Sequence, residues 1–79
     1  MTVLEAIKQR IESLLKERKM TMYRLTMNSG IGHGTLSGIM SLRNKALNFQ
    51  TVLQIASGFD MTVSEFLDDP LFNEENVGL

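Results

Sequence analysis

Val3, Leu4, Ile7, Ile11, Leu14 and Leu15 recur at three- and four-residue spacing, with Lys8, Gln9, Glu12 and Ser13 between them. That is the period of a helix with one apolar side. Thr2 and Glu5 precede and open this run in capping-box register, where the threonine hydroxyl accepts from the backbone three residues on and the glutamate reaches back to the cap. The pattern predicts a helix from Val3 to near Arg18, with Lys16, Arg18 and Lys19 at the end where the helix dipole favours cations.

Thr21 is a cap for a short second helix to about Asn28, with Leu25 as its core residue and Gly30 positioned to close it in left-handed geometry. A turn over residues 30–32 leads to a third helix over residues 33–41, capped by Gly32 and apolar at Leu36, Ile39 and Met40. Gly34 and Gly38 inside it cost roughly 1 kcal/mol each against alanine, so packing must hold this helix. Residues 42–47 form a polar and basic connection. Asn48 then caps a fourth helix whose expected buried face is Phe49, Val52, Leu53, Ile55 and Ala56 and which Gly58 ends. Thr62 and Glu65 make a second capping box, with Met61 and Phe66 placed to form a hydrophobic staple, and the fifth helix should run to about Leu67. Met27, Met40 and Met61 are expected to fill gaps in the core.

These elements describe an all-α, five-helix domain over residues 1–67. A short acidic tail follows over residues 68–79, expected to dock in part because Leu71, Phe72, Val77 and Leu79 are too apolar for a solvated segment. A chain of 79 residues supports one small core. With no cysteine and one histidine, neither a disulfide nor a structural metal site is expected. No apolar run is long enough to span a bilayer and the amino end does not read as a signal peptide, so no membrane partner and a cytoplasmic location are expected.

Four of the six glycines fall between Gly30 and Gly38. A phosphate-binding loop would need a strand before them and a fixed glycine spacing or a following Gly-Lys-Ser/Thr, and neither is present. His33 and Ser37 share a helix face, but no acid is placed to orient the histidine, which argues against nucleophilic catalysis. Neither an enzyme, a cofactor nor a small-molecule ligand is expected. The formal charge of -1 conceals an asymmetry: residues 1–58 hold eight bases and three acids, a net +5, while residues 59–79 hold six acids and no base. A basic front with an acidic tail is compatible with an anionic partner.

Thr21, Arg24-Leu25, Ser29-Gly30-Ile31, Thr35-Leu36-Ser37, Ile39, Thr51-Val52, Ile55-Ala56 and Ser64-Glu65-Phe66-Leu67 occur in an order and spacing that resembles the Cro and phage-repressor type of helix-turn-helix transcriptional regulators. The resemblance, to the lambda-repressor-like DNA-binding fold, covers about residues 3–67. It implies a scaffold helix over 21–29, a turn at Gly30 and Gly32, and a recognition helix over 33–41 that enters the major groove. Double-stranded DNA would be the partner, bound by a homodimer on a two-half-site operator, and the protein would be a regulator of transcription, a repressor in the first instance.

Carried onto this chain, the base-reading positions are Gly32, His33, Gly34, Ser37 and Gly38, with Thr35 near the rim. The glycines have no side chain for bidentate readout, which leaves His33 and Ser37. Phosphate contacts would fall to Thr21, Tyr23, Arg24, Arg43, Asn44, Lys45 and Asn48. Met22 stands where the family often has glutamine, and Leu42 and Leu47 where many relatives have glycine and proline. Phe66, Leu71 and Phe72 are candidates for a dimer interface, against a competing expectation that Leu71 and Phe72 fold back on the first helix. A protein-interaction or antitoxin-like module that kept the fold and lost the DNA is the alternative reading, with a protein partner in place of the duplex.

Overall fold

A computed structural model describes residues 1–43 and 47–78. It contains α1 (Val3–Glu17), α2 (Met22–Ser29), α3 (His33–Met40), α4 (Phe49–Gly58), α5 (Val63–Leu67) and a 3-10 turn at Pro70–Phe72, with no strand among the described residues. Asn44, Lys45 and Leu79, invoked above, lie outside the described residues.

The helix starts follow from local chemistry. Glu5 N donates to Thr2 Oγ1 at 3.1 Å while Thr2 N donates to Glu5 Oε1 at 2.8 Å, and Thr62 and Glu65 repeat the exchange at 3.1 and 2.9 Å. The backbone N–H of the capping threonine, and then its hydroxyl, hold the carboxyls of Glu5 and Glu65 below their ordinary value of 4.5. Thr21 Oγ1 accepts from Arg24 N at 3.1 Å and Asn48 Oδ1 from Thr51 N at 2.8 Å.

The ends of α1 to α4 depend on left-handed residues. Gly30 closes α2 at φ 73°, where glycine carries no Cβ penalty. The other three turns use residues with side chains: Lys19 (φ 52°), Leu42 (φ 62°) and Asp60 (φ 57°). Each is bracketed by a pair of bonds returning to the helix it follows. Met20 N reaches Leu15 O at 2.8 Å, Arg43 N reaches Gly38 O at 2.8 Å and Met61 N reaches Ala56 O at 3.0 Å, each joined by a bond from the left-handed residue itself. This is the Schellman arrangement, which satisfies carbonyls that the last turn would otherwise leave unpaired.

Gly58 thus ends α4 as expected, but the left-handed turn that follows falls at Asp60. Gly58 is the last helical residue and is buried where α4 crosses α2. A Cβ there would stand 2.8 Å from Leu25 Cδ1 and 2.9 Å from Ser29 Cβ, so the absent side chain sets how closely the two helices approach.

The core is formed by Ile7, Ile11 and Leu14 from α1, Leu25 from α2, Ile31 from the turn, Leu36 and Ile39 from α3, Ile55 and Ala56 from α4, and Phe59 and Phe66. The Phe59 and Phe66 rings stack at a centroid separation of 6.5 Å, and Phe72 extends the row at 6.2 Å from Phe66. Leu71 and Phe72 are partly buried in the turn that packs on α1. Beyond them Val77 is buried, and Gly78 N donates to Met1 O at 2.9 Å while the Met1 ammonium donates to Asn76 O at 2.8 Å.

Four expected core positions are on the surface. Met27 is 58% exposed and Phe49 64%, and Val3 and Leu53 are exposed as well. Met27 lies two residues from Leu25, about 200° around the helix, on the opposite side. By the same geometry Phe49 and Leu53 sit about 120° and 160° from Ile55. Val3 shares the side of Ile7 but opens the helix, beyond the reach of the core.

Two of the basic residues counted above have internal roles. Arg10 donates from Nε to Phe66 O at 2.7 Å, from Nη2 to Glu65 O at 3.1 Å and from Nη1 to Asp69 Oδ2 at 3.1 Å, with its guanidinium 5.8 Å from the Phe66 ring centroid. Arg18 donates to Phe59 O and lies over the Phe59 ring at 6.0 Å. From one side of α1, these arginines serve the carbonyls at the ends of α5 and α4.

Candidate nucleic-acid interface

The α2–turn–α3 unit is fixed from inside. Ser29, buried at the end of α2, accepts from Ile31 N at 3.2 Å, and Ile31 inserts into the core between the helices. With Gly30 left-handed and Gly32 extended at ψ 146°, the chain reverses within three residues and starts α3 with its buried side, Leu36 and Ile39, turned inward. In its first turn His33, Gly34 and Thr35 are all exposed, Gly34 opposite the buried side, with Ser37 and Gly38 half-buried beyond them. No side chain caps α3, whose first intrahelical bonds run from Thr35 and Leu36 to Gly32 O. A Cβ at Gly34 would meet nothing within 4 Å. The outer surface of this helix is thus nearly flat, with the imidazole of His33 at its start.

The residues expected to meet phosphate are distributed around that unit. Thr21 is exposed at the start of α2, and a hollow of about 510 Å³ beside it is lined by Arg18, Lys19, Met20, Thr21, Arg24 and Asn28. Lys19, not expected at the site, lines this hollow from the left-handed turn after α1. Tyr23 is 73% exposed and so is not a packing residue. Asn48 is exposed at the start of α4, its carboxamide oxygen held by Thr51 N and Thr51 Oγ1 at 2.8 and 2.9 Å. A helix start of this kind favours an anion, since its first amides have no partner within the helix.

Arg43 is exposed after α3, and its Nε donates to Ser41 Oγ at 2.8 Å. Ser41 was not expected at the site; its side chain is two residues from Arg43 and four from Ser37, a spacing that could have drawn attention to it. Phe49, also missed, is an exposed aromatic at the first position of α4.

Of the residues considered for a dimer interface, Phe66 is wholly buried beneath Arg10 and has no surface to offer a second copy. Leu71 and Phe72 retain part of theirs. Among the described residues there is no cluster of metal-ligating side chains, and no helix is long and apolar enough to cross a membrane.

Residues 10–70 match the family model of the Cro/C1-type HTH DNA-binding domain. Comparison with curated proteins and with solved structures finds no match.

Proposed function

The chain belongs to the Cro/C1-type HTH DNA-binding domain family, and from that premise we propose that it is a transcriptional regulator that represses by occupying duplex DNA. In this reading α3 lies in the major groove, with His33, Gly34, Thr35, Ser37 and Gly38 toward the bases. Thr21, Tyr23, Arg24, Arg43, Asn44, Lys45 and Asn48 hold the phosphates, and two copies engage two half-sites.

The observation that supports this most is the shape of α3: its exposed side carries His33, Gly34 and Thr35 with open space at Gly34, so a groove floor can approach the backbone closely. Such a surface makes few discriminating hydrogen bonds. Affinity then rests on cations around the helix and on the shape of the duplex, and it falls steeply with salt.

The test is a nuclear magnetic resonance titration with a mixed-sequence duplex. DNA binding moves the amide signals of residues 32–38 and 43–49. A spectrum unmoved at those positions rejects the reading and favours a protein-interaction module. That second reading draws on the exposed pair Tyr23 and Met27, which stand four residues apart on the outer side of α2.

A further inference from the structure

We infer that Ser41 is a positioning residue that pre-orients Arg43 for a backbone phosphate, an inference that rests on the DNA-binding reading above. Three tethers converge on this corner. Ser41 Oγ donates to Ser37 O at 2.8 Å, with Gly38 O at 3.3 Å beside it, which fixes the hydroxyl against the last turn of α3. The same oxygen accepts from Arg43 Nε at 2.8 Å. Arg43 N in turn donates to Gly38 O at 2.8 Å, so backbone and side chain of Arg43 are both tied to the recognition helix.

The chemistry suits each partner. A serine hydroxyl has one donor and two acceptor lone pairs, so it can donate to the helix and accept from Arg43 at once. An arginine has five N–H donors in a planar fork, and anchoring through Nε leaves the four on the terminal nitrogens to a phosphate, which they fit in bidentate geometry. Lysine, with donors only at its tip, could not be held and still present a fork.

The backbone sustains this arrangement at a cost. Leu42 adopts φ 62°, a left-handed conformation unfavourable for a residue with a Cβ, and that reversal is what returns Arg43 over the end of α3. A loop charge with no task beyond solubility would not need its guanidinium tied to the helix that the resemblance places in the groove. Holding the side chain before binding removes part of the ordering cost that a free arginine meets on the duplex, which corresponds to about three- to tenfold in affinity.

The test uses the full chain and a short mixed-sequence duplex, with affinity measured across a salt series and the fold of each variant checked by thermal unfolding. Ser41→Ala should weaken binding about three- to tenfold with the slope of log affinity against log salt unchanged, because no charge is lost. Ser41→Thr keeps the hydroxyl and should restore affinity. Arg43→Ala should weaken binding and reduce the slope by about 0.9, and in that background Ser41→Ala should have no further effect. In the free protein, the Arg43 Nε–H resonance should be protected in the parent and in Ser41→Thr and lost in Ser41→Ala.

Parent-like binding by Ser41→Ala, while Arg43→Ala is impaired, overturns this inference alone. So does an equal loss from Ser41→Ala with and without Arg43. An Arg43→Ala variant that binds like the parent removes Arg43 from the proposed contacts and overturns the inference with it. Failure of the parent protein to bind any duplex overturns both readings.

Discussion

The α-carbon of Gly58 lies against the backbone of Ser29, so close that a methyl group at Gly58 would stand 3.3 Å from Ser29 Cα. With Leu25 Cδ1 and Ser29 Cβ both inside 3.0 Å of the same point, relief requires α4 and α2 to move apart. Gly58→Ala should therefore destabilise the fold by about 1–3 kcal/mol, the usual range for overpacking, measured by urea unfolding. Because Ser29 also holds Ile31 and the turn, the variant should lose affinity for DNA beyond its loss of folded population.

Gly34 is the opposite case, open on its outer side. Gly34→Ala should stabilise the protein by about 1 kcal/mol through helix propensity alone, read as a higher urea midpoint at constant slope. No gain would indicate that the first turn of α3 is not helical in solution.

Lys19 carries a side chain at φ 52°. Lys19→Gly relieves about 1–2 kcal/mol of left-handed strain and adds about 0.5–1 kcal/mol of unfolded-state entropy, a net gain of up to about 1.5 kcal/mol in thermal unfolding. If Lys19 also serves the proposed phosphate hollow, the same variant should bind DNA with a shallower salt slope.

Arg10 and Arg43 separate structural charge from the charge proposed to bind DNA. Arg10→Ala removes donors to Phe66 O, Glu65 O and Asp69, and should cost about 2–3 kcal/mol of stability with the salt slope of DNA binding unchanged. Arg43→Ala should do the reverse.

Glu5 and Glu65 link stability to acid. Their carboxyls are held below 4.5 by the amides and hydroxyls of Thr2 and Thr62, so more protons bind the unfolded chain than the folded one in that range. This contribution is complete above about pH 4.5, the ordinary glutamate value, and is lost as pH falls through the lower folded values. The double variant Glu5→Gln, Glu65→Gln should show a flatter decline of melting temperature between neutral and acid pH than the parent.

The helix starts were legible because each is written in a few adjacent residues: Thr2, Thr21, Asn48 and Thr62 cap where a hydroxyl or carboxamide precedes an apolar period, and Gly32 marks the start of α3. The ends were legible to about a residue, near Arg18, residue 41 and Gly58 against Glu17, Met40 and Gly58, but the left-handed residues that close them, Lys19, Leu42 and Asp60, were not, since a side chain at such a position leaves no signature of the kind that Gly30 does. Gly58 marks the end of α4, but its reason lies in the packing of α2 against α4 and not in a turn, which no local pattern shows. At 100° per residue Met27, Phe49 and Leu53 fall away from the buried side of their helices. Counting charge could not reveal that Arg10 and Arg18 bond backbone carbonyls distant in sequence, because those partners are brought near only by folding. In the candidate site, the exposure of Gly34 followed from the apolar edge opposite it, whereas the Ser41–Arg43 bond depends on the reversal at Leu42.

In the proposed function the protein holds DNA chiefly through the phosphate backbone of the duplex, with a recognition helix that reads little sequence. Affinity for a selected duplex and for its scrambled counterpart, each measured across a salt series, tests it most directly. Cations such as Arg24, Arg43 and Lys45 contribute about 0.9 each to the slope, so log affinity should fall with log salt at about 2.7 or more, and the two duplexes should differ little. A slope below about 1 together with a large preference for the selected duplex would contradict the account.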